Sequence, residues 1–206
     1  MNDDTRSPKR RKTSSEDKVR SIVLDLDQTI ISGEAVNEFD ISNKDKMKLF
    51  RYSTMDNYYY IFERPGLQEF LTYLFKNFKV SVWTAASKDY ALFIIENIII
   101  GNHKDRRLEW IFYSHHCGIS QKCKKAIKDL TVLSDYFKID EFKSKSGSFI
   151  FDDNEEVYEA QPDRCLIAKP FYFTDKGSEH DNYLKKVIKQ LKTKKSVSSM
   201  NKRLIE

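Results

Sequence analysis

The sequence predicts an α/β domain: a parallel β-sheet covered by helices on both faces. Three observations predict it. Short apolar runs recur along the chain, at Ser21–Leu24, Lys79–Trp83, Trp110–Tyr113, Ser148–Phe151 and Cys165–Ala168. Between several of these runs lie stretches whose apolar residues are spaced three and four apart, the helical period. Residues able to do chemistry stand at the carboxyl ends of the runs: Asp25 and Asp27 after the first, Thr84 after the second, Asp152 and Asp153 after the fourth. Strands alternating with helices imply a parallel sheet buried on both faces. Ligands of such sheets bind beyond the carboxyl ends of the strands.

Taken in order, residues 1–19 are polar, charged and free of aromatics, and are expected to be a disordered arm. Within them Pro8-Lys-Arg-Arg-Lys12 resembles a nuclear-import signal and reads equally as a solvated basic arm. After the first strand, residues 32–63 lack a helical period. Tyr58–Phe62 reads as a strand with Lys48–Tyr52 as its partner, so this segment is expected to be a small β-flap inserted after the first strand. Arg64-Pro65-Gly66 marks a turn into a helix with Leu67, Phe70, Leu71, Leu74, Phe75 and Phe78 on its apolar face. Ser87 is the expected cap of the next helix. Tyr90, Ala91, Ile94, Ile95 and Ile98 face inward there, and Gly101-Asn102 ends it. Trp83 and Tyr90 are read as core. Residues 120–137 are mixed, with Ile127–Leu133 a strand-to-turn passage or a short helix. Tyr183–Lys192, with Leu184, Val187, Ile188 and Leu191 on one face, is the last expected helix. The chain is expected to fray from Thr193 on. This divides the sequence into an arm over 1–19, one domain over 20–192 and a basic tail over 193–206.

Composition narrows the function classes. A chain of 206 residues with 40% hydrophobic and 13% aromatic residues suits one ordinary domain with a substantial core. Net charge is +5, but residues 1–20 carry +3 and residues 185–206 carry +7, which leaves −5 for residues 21–184. Total charge is therefore no argument for nucleic-acid binding by the domain; only the tails leave that option. Cys117, Cys123 and Cys165 form no CxxC pair and read as reduced thiols of an intracellular protein, nuclear or cytoplasmic. His115-His116-Cys117 with Cys123 fits no standard zinc framework and is read as packing. The apolar patch Ile94–Ile100 is broken by Glu96 and Asn97 and is too short to span a bilayer, and no signal peptide is expected. No membrane partner is expected.

The stretch Asp25-Leu-Asp27-Gln-Thr29 carries the chemistry. Acidic residues are depleted in strands and are rarely fully buried unless paired. Alternation sets Asp25 and Asp27 on one side of the strand, where two carboxylates repel unless a cation or a shared proton stabilises them. Magnesium prefers such oxygens. With a phosphate monoester as substrate, a bound magnesium offsets the charge of both partners. Asp25 can then attack phosphorus to form an aspartyl-phosphate. Asp27 can protonate the leaving oxygen and later deprotonate water. A hydroxyl and an ammonium on the transferring oxygens stabilise the charge there. Thr84 supplies the hydroxyl. Several lysines between Ile100 and Phe151 compete to supply the ammonium.

Asp25-Leu-Asp27-Gln-Thr29 resembles the DxDxT signature of the haloacid dehalogenase superfamily. Arg64-Pro-Gly-Leu67, Val82-Trp-Thr-Ala-Ala86, Tyr90-Ala91, Lys128-Asp-Leu130 and Asp152-Asp153 followed by Gln161-Pro162 match, in that order, the pattern of the Fcp/Scp group of RNA polymerase II C-terminal-domain phosphatases. The resemblance spans roughly residues 19–190. It implies a Rossmann-like parallel sheet with a small β-flap. It implies Asp25 as nucleophile, Asp27 as acid and base, and Thr84 and Lys128 as phosphate-binding residues. It implies Mg2+ held by Asp25, the Asp27 carbonyl and Asp153, with Asp152 orienting Lys128 or a metal-bound water. Thr29 is left to support the turn. No second domain of the group follows, so the compact form is expected. The implied partner is a phosphorylated peptide or protein, such as the RNA polymerase II C-terminal repeats, read by flap aromatics among Phe39, Phe50, Tyr52 and Tyr58 to Tyr60. Two other readings stand beside it: a phosphatase of nucleic-acid ends or small metabolites, and a non-catalytic peptide-binding scaffold.

Overall fold

The computed structural model describes residues 20–205 except Lys145 and Lys194; the basic run Pro8–Lys12 lies outside the described residues. The elements follow in chain order. Strand β1 (Ser21–Leu24) leads into the loop carrying Asp25 and Asp27. Then come β2 (Ile31–Ala35), the short helix α1 (Lys44–Met47), β3 (Tyr52–Met55), β4 (Tyr59–Glu63) and α2 (Leu67–Asn77). Next are β5 (Lys79–Trp83), α3 (Lys88–Ile94), β6 (Ile111–Phe112), α4 (Ser114–Lys124) and α5 (Leu130–Asp135). The chain continues through β7 (Ser148–Asp152), α6 (Glu155–Ala160), β8 (Cys165–Ile167), α7 (Tyr183–Leu191) and α8 (Val197–Ile205).

Five strands form a parallel sheet in the order β6-β5-β1-β7-β8. Its central strand is β1, where Ile22, Val23 and Leu24 are fully buried. A continuous apolar run is what a strand covered on both faces needs. Alternation divides these residues between two layers. Ile22 and Leu24 pack with Phe70, Ile94, Leu184 and Met200. Val23 points the other way, into a cluster with Trp83, Leu130, Leu133 and Val157. Pairing of Leu24 with Val82 on one side and Phe151 on the other sets the carboxyl ends of β1, β5 and β7 level. The backbone N–H of Asp25 extends the ladder by one bond, to Phe151 O at 3.0 Å.

The flap is a three-stranded antiparallel sheet in the order β2-β4-β3. It has its own small core, in which Phe62 and Phe173 stack with centroids 3.7 Å apart and Phe39, Phe50 and Met47 pack around them. Phe173 lies beyond β8, so the last part of the domain holds the flap down. The strand expected over Lys48–Tyr52 is shifted. The pairing strand begins at Tyr52, after the helical turn Lys44–Met47. Strand β2 was not expected at all. Its sequence, ISGEA, contains poor strand formers, and pairing with β4 is what makes it extended.

Two further segments differ from the sequence reading, and one left open there is settled. Ser114–Lys124 is a helix that buries only Cys117 and Ser120, too little apolar surface for a periodic signal. The ambiguous stretch at Ile127–Leu133 resolves into α5, started by Asp129, whose Oδ1 accepts from Thr131 N at 2.8 Å. Among the described residues beyond Thr193 the chain does not fray. Helix α8 buries Met200 completely and Val197 nearly so. Asn201 Nδ2 donates to Cys165 O at 2.9 Å, and its Oδ1 accepts from Ile167 N at 3.1 Å. A strand backbone in need of partners holds this helix, and the local sequence does not reveal that need. The three cysteines are all free, and no described helix is long and apolar enough to cross a membrane.

Arg64 ties the loop after β1 to the rest. It is fully buried. Its Nη1 donates to Thr29 O at 2.9 Å and Lys169 O at 2.8 Å, while Nε and Nη2 form a two-pronged pair with Asp181 at 3.2 and 3.0 Å. The guanidinium also lies 4.7 Å from the ring centre of Tyr183. The planar fork suits such a site, and a lysine would not replace it.

Replacement of Met200 by alanine is expected to cost about 2–5 kcal/mol, the range for deleting a buried aliphatic side chain, measured by urea unfolding. Arg64→Leu strands Asp181 and two carbonyls, and is expected to cost about 3 kcal/mol or more in the same assay; Arg64→Lys recovers only part of it.

Candidate active site

The loop after β1 is built around one unusual backbone angle. Gln28 has φ 55°, the left-handed region that non-glycine residues seldom adopt. It reverses the chain, so that Thr29, Ile30 and Ile31 all direct their N–H groups to Leu26 O. The turn brings the Thr29 hydroxyl back under Asp25. Thr29 Oγ1 lies 2.9 Å from Asp25 Oδ2 and 3.0 Å from Asp153 Oδ1, and accepts from Asp153 N at 3.1 Å. Its single proton serves one carboxylate at a time. Thr29 therefore does more than support its own turn, the role the sequence suggested: it bolts the loop after β1 to the loop after β7.

Lys128 reaches the same point from the segment between α4 and α5. Its side chain is buried; Nζ donates to Asp25 Oδ1 at 2.5 Å and to Asp152 Oδ2 at 2.8 Å. Gln161 fixes the lysine from behind, donating to Lys128 O at 2.6 Å while its Oε1 accepts from Leu130 N at 3.1 Å. Thr84, buried at the end of β5, accepts from Ala86 N at 3.0 Å through Oγ1. Asp152 Oδ1 accepts from Asn154 N at 3.0 Å, which turns the chain after β7. The residues predicted from the strand ends, Asp25, Asp27, Thr84, Asp152 and Asp153, line one open cleft of about 190 Å³ with Lys128. A larger hollow of about 460 Å³, between Arg20, Asp163 and Ser196, gathers no comparable chemistry.

Tyr90 is a residue the sequence reading missed. Read as core, its ring does pack against the main apolar cluster, but its hydroxyl also reaches the site, donating to Asp27 Oδ1 at 2.7 Å. The signal was its place in the first turn of a helix capped by Ser87, whose Oγ accepts from Tyr90 N at 3.3 Å, directly after the strand end at Thr84. Arg64 was also missed as a supporting group, because proline and glycine beside it read as a turn.

Electrostatics follow from burial. Burial pushes the Asp25 carboxyl up to about 8; the Lys128 ammonium pulls it down and Asp152 adds to the rise. Burial also raises Asp27, against the lowering effect of Tyr90 and Lys128, and raises Asp153, with Asp152 adding to it. For Lys128, burial favours the neutral amine, but Asp25 and Asp152 outweigh it and hold the ammonium charged. One ammonium thus faces more carboxyl groups than it can pair with, and Asp25, Asp27 and Asp153 hold their protons more tightly than free carboxyls do.

Such a surplus of carboxyl groups suits a cation. Oxygens of Asp25, Asp152 and Asp153 lie within 4.8 Å of one another, the one such group of potential metal ligands found among the described residues. The donors are all hard carboxylate oxygens, which magnesium prefers. Asp152 belongs to this trio as well as contacting Lys128. The Asp27 carboxylate stands apart from it, bonded to Tyr90.

Residues 20–201 match the family described as NLI interacting factor-like phosphatase. A putative CTD phosphatase-like protein of Invertebrate iridescent virus 3 is 44% identical over 187 residues, covering 85% of this chain and 97% of the viral protein. Its counterpart in Invertebrate iridescent virus 6 is 43% identical over 171 residues, covering 81% and 93%. The structure of fission yeast RNA polymerase II CTD phosphatase Fcp1 bound to beryllium fluoride is similar with a TM-score of 0.55, at 23% identity, over 85% of this chain and 50% of that one. A further Fcp1 structure gives 0.54 at 24% identity, covering 90% and 52%. The chain thus spans about half the length of these solved chains, and the likeness to them is one of fold. On the family match and the viral relatives, the chain belongs to the NLI interacting factor-like phosphatases, enzymes of the Fcp/Scp type with a haloacid dehalogenase fold.

Proposed function

We propose that this phosphatase is a magnesium-dependent phosphoserine and phosphothreonine protein phosphatase. It acts through an aspartyl-phosphate on Asp25, on Ser-Pro segments such as the RNA polymerase II C-terminal repeats. The observation that carries the reading is the meeting of Asp25 with Lys128 beside a three-carboxylate cluster, on a cleft that Thr84 also lines.

On this reading an Asp25 oxygen attacks phosphorus as the bond to the leaving oxygen breaks. Asp27 gives its proton to that oxygen, then takes one from the water that hydrolyses the aspartyl-phosphate. The raised affinity of Asp27 for its proton suits this double role. Lys128 and the Thr84 hydroxyl bind the transferring oxygens, where charge accumulates. Asp25, the Asp27 carbonyl and Asp153, with Asp152 alongside, would hold magnesium, which would offset the negative charge that keeps a phosphate dianion from a carboxylate. Support for a peptide substrate comes from the names of the viral relatives. It also comes from the flap, where Tyr52, Tyr58 and Tyr59 are exposed. The run Pro8–Lys12 supports entry into the nucleus, where such repeats are found.

A second reading, a phosphatase of nucleic-acid ends, rests on one observation. The exposed residues of α7 are basic, Lys185, Lys186 and Lys189, with exposed Lys192 just past its end, and α8 also exposes Lys202 and Arg203.

Asp25→Asn removes the nucleophile and is expected to lower turnover of a phosphoserine peptide by about a thousandfold or more; normal turnover by this variant would sink the mechanism. A chelator is expected to abolish activity, and added magnesium to restore it. In a side-by-side assay the phosphopeptide is expected to be hydrolysed faster than a 5′-phosphorylated oligonucleotide; the reverse order selects the second reading.

A further inference from the structure

Three elements converge on one carboxylate. Asp27 belongs to the loop after β1, and its Oδ1 accepts from Tyr90 in the first turn of α3 at 2.7 Å. The Tyr90 ring stands edge-on to Tyr59 of flap strand β4, with centroids 5.3 Å apart and planes at 77°. From flap strand β2, Gly33 faces the same hydroxyl. A Cβ at position 33 would lie 2.3 Å from Tyr90 Oη and 3.5 Å from Asp27 Oδ1. Nonbonded atoms do not approach to 2.3 Å, so no side chain fits at position 33 while Tyr90 bonds to Asp27. The absence of a side chain in β2 and the hydroxyl on α3 are two halves of one arrangement.

A carboxyl group has two oxygens, and only the unprotonated one accepts a hydrogen bond well. A donor fixed on Oδ1 assigns the transferable proton to Oδ2. We propose that Tyr90, given room by Gly33 and braced by Tyr59, is the positioning residue for Asp27: it holds the carboxyl so that Oδ2 carries the proton to the leaving group. The inference rests on the reading of Asp27 as general acid. In the step concerned, the bond from phosphorus to the leaving oxygen breaks as the bond to Asp25 forms. The Oδ2 proton passes to the leaving oxygen, and Tyr90 keeps its own. The flap thereby helps set the acid in place, in addition to any contact it makes with substrate.

General-acid assistance matters more as the leaving group becomes more basic. A good leaving group such as 4-nitrophenolate departs without a proton, whereas phenolate and the alkoxide of serine need one. The test is kcat/KM, with magnesium present, for 4-nitrophenyl phosphate, phenyl phosphate and a phosphoserine peptide. The proteins are wild type, Tyr90→Phe, Gly33→Ala and the double variant. Tyr90→Phe is expected to leave 4-nitrophenyl phosphate within about threefold of wild type and to lower phenyl phosphate and the peptide by about ten- to a hundredfold, up to the lower end of the roughly hundred- to ten-thousandfold that such catalysis contributes, because the acid is misplaced and not removed. Gly33→Ala is expected to show the same pattern, since the new methyl displaces the hydroxyl. The double variant is expected to be no worse than Tyr90→Phe alone, because phenylalanine lacks the oxygen that the methyl meets. Such non-additivity is the mark of groups acting as one unit.

An equal loss on all three substrates, or additive losses in the double variant, would overturn the proposal by reducing Tyr90 to a packing residue. A loss confined to the peptide, with the two aryl substrates alike, would overturn it in favour of a peptide contact. Wild type inactive on all three substrates would overturn the phosphatase reading, and the role of Asp27 with it.

Discussion

A single buried ammonium, on Lys128, stands between Asp25 and Asp152, and much of the structure serves to make that possible. Buried charges lose their hydration and are tolerated only with close, well-directed partners. The three members of this triad come from distant parts of the chain and meet only because β1 and β7 are neighbours in register. Each is then pinned from outside. Gln161 holds the backbone of Lys128, Asn154 N bonds Asp152, and the Thr29 hydroxyl reaches both Asp25 and Asp153. Arg64 in turn grips the Thr29 carbonyl from below. The ion triad is thus the centre of a hydrogen-bonded frame, in which the donors available still fall short of the carboxylates present.

Much of the fold was legible because β1, β5 and β7 carry apolar residues on both faces, as strands covered on both sides must. The strand-end acids were legible for the opposite reason: Asp25, Asp27, Asp152 and Asp153 are costly where they stand. The elements that escaped are those decided by distant partners. Strand β2 contains Gly33 and Glu34 and becomes extended only through β4. Helix α8 sits in a serine- and lysine-rich stretch and is held by the backbone of β8. Lys128 carries no local mark that separates it from its neighbours, and only the ordered resemblance selected it. Tyr90 occupied a position that helical spacing assigns to the core, and spacing says nothing of where a hydroxyl at the end of a long ring arrives.

The flap shows how a small sheet with little core of its own becomes a fixed part of the molecule. A sheet of three short strands needs a hydrophobic face or a packing partner to be stable. Here the stack of Phe62 on Phe173, with the bond from Phe173 N to Ser32 Oγ at 3.1 Å, joins the flap to the segment after β8. The contact of Tyr59 with Tyr90 joins it to α3. A flap held at two places transmits its position to the cleft, which a loosely tethered one does not.

The amide of Asn201 has a consequence beyond holding α8. Strand β8 ends the sheet on one side, and an open strand edge invites pairing with another chain. Asn201 occupies both a carbonyl and an N–H of that edge with its own side chain, while β6, at the other side, is only two residues long. Each margin of the main sheet thereby offers another strand little to pair with. The residue that holds the last helix in place thus also covers part of an edge that would otherwise be free to pair.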